Sequence, residues 1–147
     1  MHIVISPGRL LCMSEPGIYT LMLSVPGALQ IEVGSLGARR YPAGYYCYTG
    51  SARGPGGLKR VDRHILLSRD RKRTRRWHID YLLPAARLLG ALVIEDPRRL
   101  ECSWAGWAGQ QAQACIAGFG SSDCYCSGHL FWLGPAVDAD LFIARAQ

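Results

Sequence analysis

Phenols, a guanidinium and an imidazole fall close together in one part of the chain. Tyr45-Tyr46-Cys47-Tyr48-Thr49-Gly50 is followed by a small-residue stretch from Ser51 to Gly57 and then by Leu58-Lys59-Arg60-Val61-Asp62-Arg63-His64. Gathered at one corner of a fold, these groups suit phosphate: Arg offers a planar fork of N–H donors, and glycine lets backbone approach a ligand closely. The charge distribution points the same way. Between Arg53 and Arg76 lie ten Lys or Arg residues against two acids, a local charge of +8, while the rest of the chain carries −2 of the overall +6. A concentrated basic patch draws polyanions, whereas a diffuse excess mainly affects solubility. Fifteen of the seventeen bases are Arg. The candidate nucleic-acid contacts are therefore Arg53, Lys59, Arg63, Arg71, Lys72, Arg73, Arg75, Arg76 and His78. A charge run such as Arg69 to Arg76 also suits a solvated loop after a helix; its position beside the phosphate corner favours nucleic acid.

These residues need elements to hold them. Gly17 to Val25 is rich in β-prone residues and closes at Pro26-Gly27, a turn signal. Leu29 to Val33 alternates apolar and polar, as a hairpin partner with one wet face does. The turn Gly34 to Gly37, then Arg39-Arg40-Tyr41, then the strand Tyr45 to Thr49 complete an expected antiparallel meander. Met1 to Ile5 reads as a further short strand, and Ser6 to Pro16 as a connector. Leu58 opens a helix with Leu58, Val61 and Ile65 on one stripe, which places Arg60 and His64 one turn apart on its flank. Trp77 to Leu83 is a short amphipathic element ended by Pro84, and Leu88 to Ile94 a buried strand. Asp96-Pro97 predicts a helix start, with the helix running through Glu101, Trp104 and Ala108 toward Cys115. Gly118 to Ser122 reads as a turn, His129 to Leu133 as a strand, and Pro135 to Ala144 as a terminal helix. The expected fold is one α/β (α+β) domain spanning the chain, with a small, mainly antiparallel central sheet flanked by helices.

Composition sets the outer limits. A chain of 147 residues, 49% hydrophobic and 19% charged, fits one domain with a real core and argues against wholesale disorder. No apolar run approaches the roughly 20 residues of a membrane-spanning helix, and Met1 to Met13 does not read as a signal peptide. A cytoplasmic protein is expected, with no membrane partner. Its six Cys, at 12, 47, 102, 115, 124 and 126, are then expected to be reduced.

Several of these residues together form a family pattern. Gly17-Ile18-Tyr19 on one strand, Tyr48-Thr49-Gly50 ending another, a helix with Arg60 and His64, and a later helix with Glu101 resemble the GIY-YIG nuclease superfamily, from Gly17 to about Ala108. More narrowly, the Tyr48 to Ala52 turn, the Trp77 to Leu83 run, Glu101-Cys102 and the stretch Gly118 to Cys124 resemble a small archaeal and bacterial branch, the Uri-type domain of unknown function. That likeness covers almost the whole chain, with a branch-specific extension from about residue 118. Thr49 stands where the superfamily name carries Ile. Ser51 stands where some relatives place Lys, and Arg53 is the candidate replacement for that phosphate contact.

The resemblance implies a metal-dependent endonuclease that hydrolyses phosphodiester bonds in DNA. Tyr19 would be the general base or would orient the water, Arg60 would contact a non-bridging phosphate oxygen, Tyr48 and His64 would complete the donor shell, and Glu101 would hold one Mg²⁺ or Mn²⁺. A free phenol has a pKa near 10, so nearby positive charge from Arg60 and the metal is expected to lower that of Tyr19. The absence of an evident sequence-reading module favours a branched or damaged substrate, in keeping with DNA repair. A non-catalytic nucleic-acid-binding module and an RNA endonuclease are the competing readings. Cys124-x-Cys126-x-x-His129, with Asp123 adjacent and Cys102 as a remote partner, has zinc-ligand residue types but lacks a second paired motif. The favoured reading is a turn that packs two thiols and places Ser122, Asp123 or His129 near the substrate, as second-metal or substrate contacts, with structural Zn²⁺ as the alternative. Asp80 is a further candidate substrate contact. Trp77, Trp104, Trp107 and Trp132 offer stacking surfaces to unpaired bases, though core filling is expected for most of them.

Overall fold

The computed structural model describes residues 2–5 (as a strand only), 9–69, 74–98, 100–121 and 126–135. Among these, six strands form one sheet: β1 (His2–Ile5), β2 (Gly17–Val25), β5 (Gly44–Ser51), β6 (Arg87–Glu95), β7 (Ala114–Cys115) and β8 (Leu130–Gly134), in the order β1-β6-β2-β5-β8-β7. Every adjacent pair is antiparallel. Two more strands, β3 (Leu29–Glu32) and β4 (Ala38–Tyr41), pair only with each other. The helices are α1 (Lys59–Arg69), α2 (His78–Leu82) and α3 (Glu101–Gln111). This is the expected α+β architecture.

The in-line meander is not formed. β2 does not pair with β3; its neighbours are β5 and β6. The burial of the strands explains the choice. β2 is covered on both faces, with Tyr19, Leu21, Leu23 and Val25 in the larger core and Met22 in the smaller one. Such a strand belongs at the centre of a sheet, whereas β3 and β4 are half-wet and fit an edge hairpin. Turn signals mark where strands end and leave the pairing open.

The two cores lie on opposite faces of the sheet. α1, α2 and the β3–β4 hairpin cover the larger, which holds Tyr46, Leu58, Val61, Ile65, Leu67, Ile79, Leu82 and Phe119. α3 covers the smaller, pressing Ala105 and Ala108 onto Met22, Cys47, Phe131 and Leu133. On α1, His64 is wholly buried rather than on a flank, because positions 61, 64 and 65 share one helix face. All four tryptophans are half-buried instead of mostly filling the core.

α3 begins later than expected. Asp96 does not cap it: the Asp96 carboxylate closes a local turn by accepting from the Arg98 amide (2.8 Å) and guanidinium (2.7 Å). The helix opens at Glu101 behind Leu100 and ends at Gln111. Cys115 lies instead on β7, paired with Phe131 at the sheet edge. The terminal helix expected from Pro135 lies outside the described residues.

Candidate active site

Tyr19 on β2 faces Gly50 across the β2–β5 ladder. That glycine is what the ring requires, since a Cβ at position 50 would collide with the Tyr19 hydroxyl. The freed space lets the hydroxyl reach the Nε2 of His64 on α1, 2.7 Å away. Behind the imidazole, Nδ1 stands 3.7 Å from Asp80 Oδ1, an electrostatic contact beyond hydrogen-bond range. Asp80 is anchored from three sides, by the Arg63 guanidinium (2.9 Å) and by the amides of Arg76 (2.7 Å) and Trp77 (3.0 Å). Tyr19, His64 and Asp80 thus form a buried row that joins β2, α1 and α2.

Burial governs the titration of this row. It pushes the Tyr19 phenol well above its ordinary value; Tyr48, Glu101 and Asp80 add to that, and Arg60 opposes it. Arg60 pulls the phenol down as expected, but desolvation of the phenolate outweighs that one guanidinium. For His64 burial again dominates, pulling the imidazole below its ordinary value against the pull of Asp80. Burial alone would raise the Asp80 carboxyl, but its contacts with His64, Arg63 and the two amides hold it well below the usual carboxylate range. At neutral pH the row is a phenol, a neutral imidazole and a carboxylate. A proton on Nδ1, toward Asp80, leaves Nε2 to accept from the Tyr19 hydroxyl.

A cavity of about 260 Å³ opens onto this row, lined by Tyr19, Tyr48, Ser51, Arg60, Arg76, Trp77, His78, Glu101 and Gly120. Four of the five expected catalytic residues therefore meet in one space, with His64 directly behind Tyr19. Arg60 is held by the Ser51 carbonyl (2.5 Å) and stacks on Trp77, its guanidinium carbon 4.3 Å from the ring centroid. Tyr48 lies beside Tyr19, ring centroids 6.5 Å apart. Gly120, at φ 72°, packs where a Cβ would stand 2.8 Å from the Tyr48 ring, and its amide donates to His78 Nδ1 (2.9 Å). Burial, with Arg39, lowers the His78 pKa.

Glu101 is the first residue of α3, and its side chain is 25% exposed. One carboxylate oxygen is 2.8 Å from Nδ1 of His129, which is wholly buried just before β8. His129 therefore stands behind Glu101 and does not line the cavity.

The basic residues divide. Arg76 lines the cavity, and Lys59, Arg53 and Arg75 are exposed. Arg53 reaches back to the Pro97 carbonyl (3.1 Å), and Arg75 lies over the Tyr81 ring at 5.5 Å. Arg63 is committed to Asp80 and to the Thr74 carbonyl, and packs on Trp77. Arg71, Lys72, Arg73, Asp123 and Cys124 lie outside the described residues. Asp80 is not a substrate contact, because it is wholly buried. Its place behind His64 was missed in the sequence: the two residues are on different helices, and no spacing pattern links them.

A mainly antiparallel α+β fold with phenol, guanidinium and carboxylate around one polar cavity is the class of protein that fold and site define. The chain belongs to the family described as domain of unknown function DUF123, whose model matches residues 18–146. No curated protein and no solved structure matches it. Among the described residues no helix is long and apolar enough to cross a membrane.

Proposed function

We propose that this protein is a metal-dependent endonuclease of the GIY-YIG type, in its Uri-type branch, that hydrolyses phosphodiester bonds in DNA at branched or damaged sites. The observation that carries this reading is the convergence of Tyr19, Tyr48, Arg60 and Glu101 on one cavity, with His64 and Asp80 behind the first tyrosine. In the proposed reaction, the Tyr19 hydroxyl takes a proton from the attacking water while giving its own to His64 Nε2. Asp80 stabilises the imidazolium that results, as a buried carboxylate does for a histidine base. This route spares the site a buried phenolate. Arg60, aimed by Ser51 and Trp77, meets the developing charge on the phosphate oxygens, and Tyr48 donates beside it.

Glu101 fits a hard divalent ion. It is a partly exposed oxygen donor on a polar cavity roomy enough for retained waters, the setting that suits Mg²⁺ or Mn²⁺. Such an ion, when bound, would supply positive charge to the phosphoryl oxygens and a more acidic water. One Glu101 oxygen lies 2.8 Å from Nδ1 of His129, while Glu101 also lines the cavity.

The test is cleavage of branched, nicked and single-stranded DNA, and of matched RNA, with Mg²⁺ or Mn²⁺ and with chelator. Divalent-dependent cuts in branched DNA that vanish in Glu101→Ala are expected. Salt-sensitive binding without turnover would reassign the protein as a binding module, and preferential cleavage of RNA would reassign the substrate.

A further inference from the structure

Beyond the cavity, Cys102, Cys126 and His129 come together behind Glu101. Cys102 follows Glu101 in the first turn of α3, whereas Cys126 and His129 lie on the segment that leads into β8. One ligand atom from each, a thiol sulfur from either cysteine and a ring nitrogen from His129, lies within 4.8 Å of the other two. In a tetrahedral zinc site, with Zn–S of about 2.3 Å and Zn–N of about 2.0–2.1 Å, ligand atoms sit about 3.5–3.8 Å apart. The cluster therefore needs only a small contraction to close on an ion.

We propose that Cys102, Cys126 and His129 bind a zinc ion, and that this ion fixes His129 so that its Nδ1 holds the Glu101 carboxylate in place. Two thiolates and an imidazole form a soft donor set, which selects Zn²⁺ over the hard ions that suit Glu101. With Nδ1 against Glu101 at 2.8 Å, the metal takes Nε2. The result is a carboxylate–histidine–zinc arrangement, in which the carboxylate sets the tautomer and orientation of the ligating ring. Three protein donors leave one tetrahedral position to a fourth. Binding displaces a proton from each thiol, so affinity falls as the pH falls. Glu101 then acts in both directions, toward a hard ion in the cavity and toward the imidazole that holds the soft one. The zinc site stands on the clustered ligands and does not depend on the reaction proposed for the cavity.

The experiment is metal analysis of the full chain expressed in zinc-supplemented medium, followed by replacement with Co²⁺ and absorption spectroscopy. About one zinc per chain is expected, and thiolate-to-cobalt charge transfer with the d–d bands of a tetrahedral ion. Cys102→Ser and Cys126→Ser should each lose metal in competition with a chelator, whereas Cys12→Ser, which is not among the clustered ligands, should retain it. Glu101→Gln should weaken zinc binding by about 10- to 100-fold, the usual cost of removing a carboxylate partner from a ligating histidine. Should a serine variant fail to fold, the wild-type cobalt spectrum still decides. A metal-free protein, a cobalt spectrum without thiolate bands, or a Cys102–Cys126 disulfide in thiol titration would overturn the site. Unchanged zinc affinity in Glu101→Gln would overturn the link to Glu101. Zinc binding without nuclease activity would leave this site standing and remove only the proposed reaction.

Discussion

On one wall of the cavity, Tyr19, His64 and Asp80 are wholly or nearly wholly buried, joined across β2, α1 and α2. On the other, Glu101 is a quarter exposed at the start of α3 and leans on the buried His129. Only Tyr19 of the first wall meets the cavity, His64 and Asp80 lie behind it, and burial sets the charge states of the phenol and the imidazole. A phenol and an imidazole kept neutral there can pass a proton between them without either standing charged in the ground state. The second wall keeps a carboxylate accessible to an ion and its waters. The difference teaches how one small fold separates two tasks: proton handling goes to groups fixed by packing, and metal holding to a group that meets solvent.

Variants that empty one wall and spare the other should separate these tasks. Arg60→Ala, which removes a guanidinium lining the cavity, should lower kcat for branched DNA by about 10²- to 10³-fold, with a smaller change in KM, in steady-state cleavage. Asp80→Asn strikes only the buried wall. It leaves Arg63 and two amides without their anion, and should cost about 3 kcal/mol in urea unfolding. Gly50→Ala, which drives a methyl group into the Tyr19 hydroxyl, should cost about 1–3 kcal/mol and reduce activity without altering zinc content.

The buried wall also predicts a pH dependence. Because the folded pKa of His64 lies below its ordinary value, the unfolded chain takes up a proton near pH 6.5 that the folded chain refuses. The stability that His64 contributes is thus complete above about pH 6.5 and declines as the pH falls toward its folded pKa. Asp80, also depressed, adds a second loss below about pH 3.9. Urea midpoints between pH 7.5 and 5 should fall with pH in the wild type and change less in His64→Gln.

The two walls also differ in how far the amino-acid sequence foretold them. Tyr48, Arg60 and His64 sit near a strand end and on one helix turn, so local pattern placed them close together, and the family resemblance brought in Tyr19 and Glu101. Local pattern did not place His64 inside the core, although its position three after Val61 and one before Ile65 holds that signal. Asp80 behind His64, and His129 behind Glu101, depend on contacts between distant elements, which periodicity does not encode. The strand Gly17–Val25 was legible from its β-prone residues and its Pro-Gly end, and the strand at Leu88 to Ile94 from its apolar run. The pairing of β2 with β5 and β6 was not, because turn chemistry describes neighbours in the chain. Asp96-Pro97 misled for a related reason: the carboxylate that would cap a helix closes a turn with Arg98 instead.

The central claim is that the Tyr19 hydroxyl, backed by His64, activates the water. Single-turnover cleavage of a branched DNA duplex with saturating Mg²⁺, for wild type and Tyr19→Phe, tests it most directly. The phenylalanine variant should bind DNA as tightly as the wild type and cleave about 10²- to 10⁴-fold more slowly, the range of a positioned general base. Cleavage by Tyr19→Phe at the wild-type rate would contradict the account.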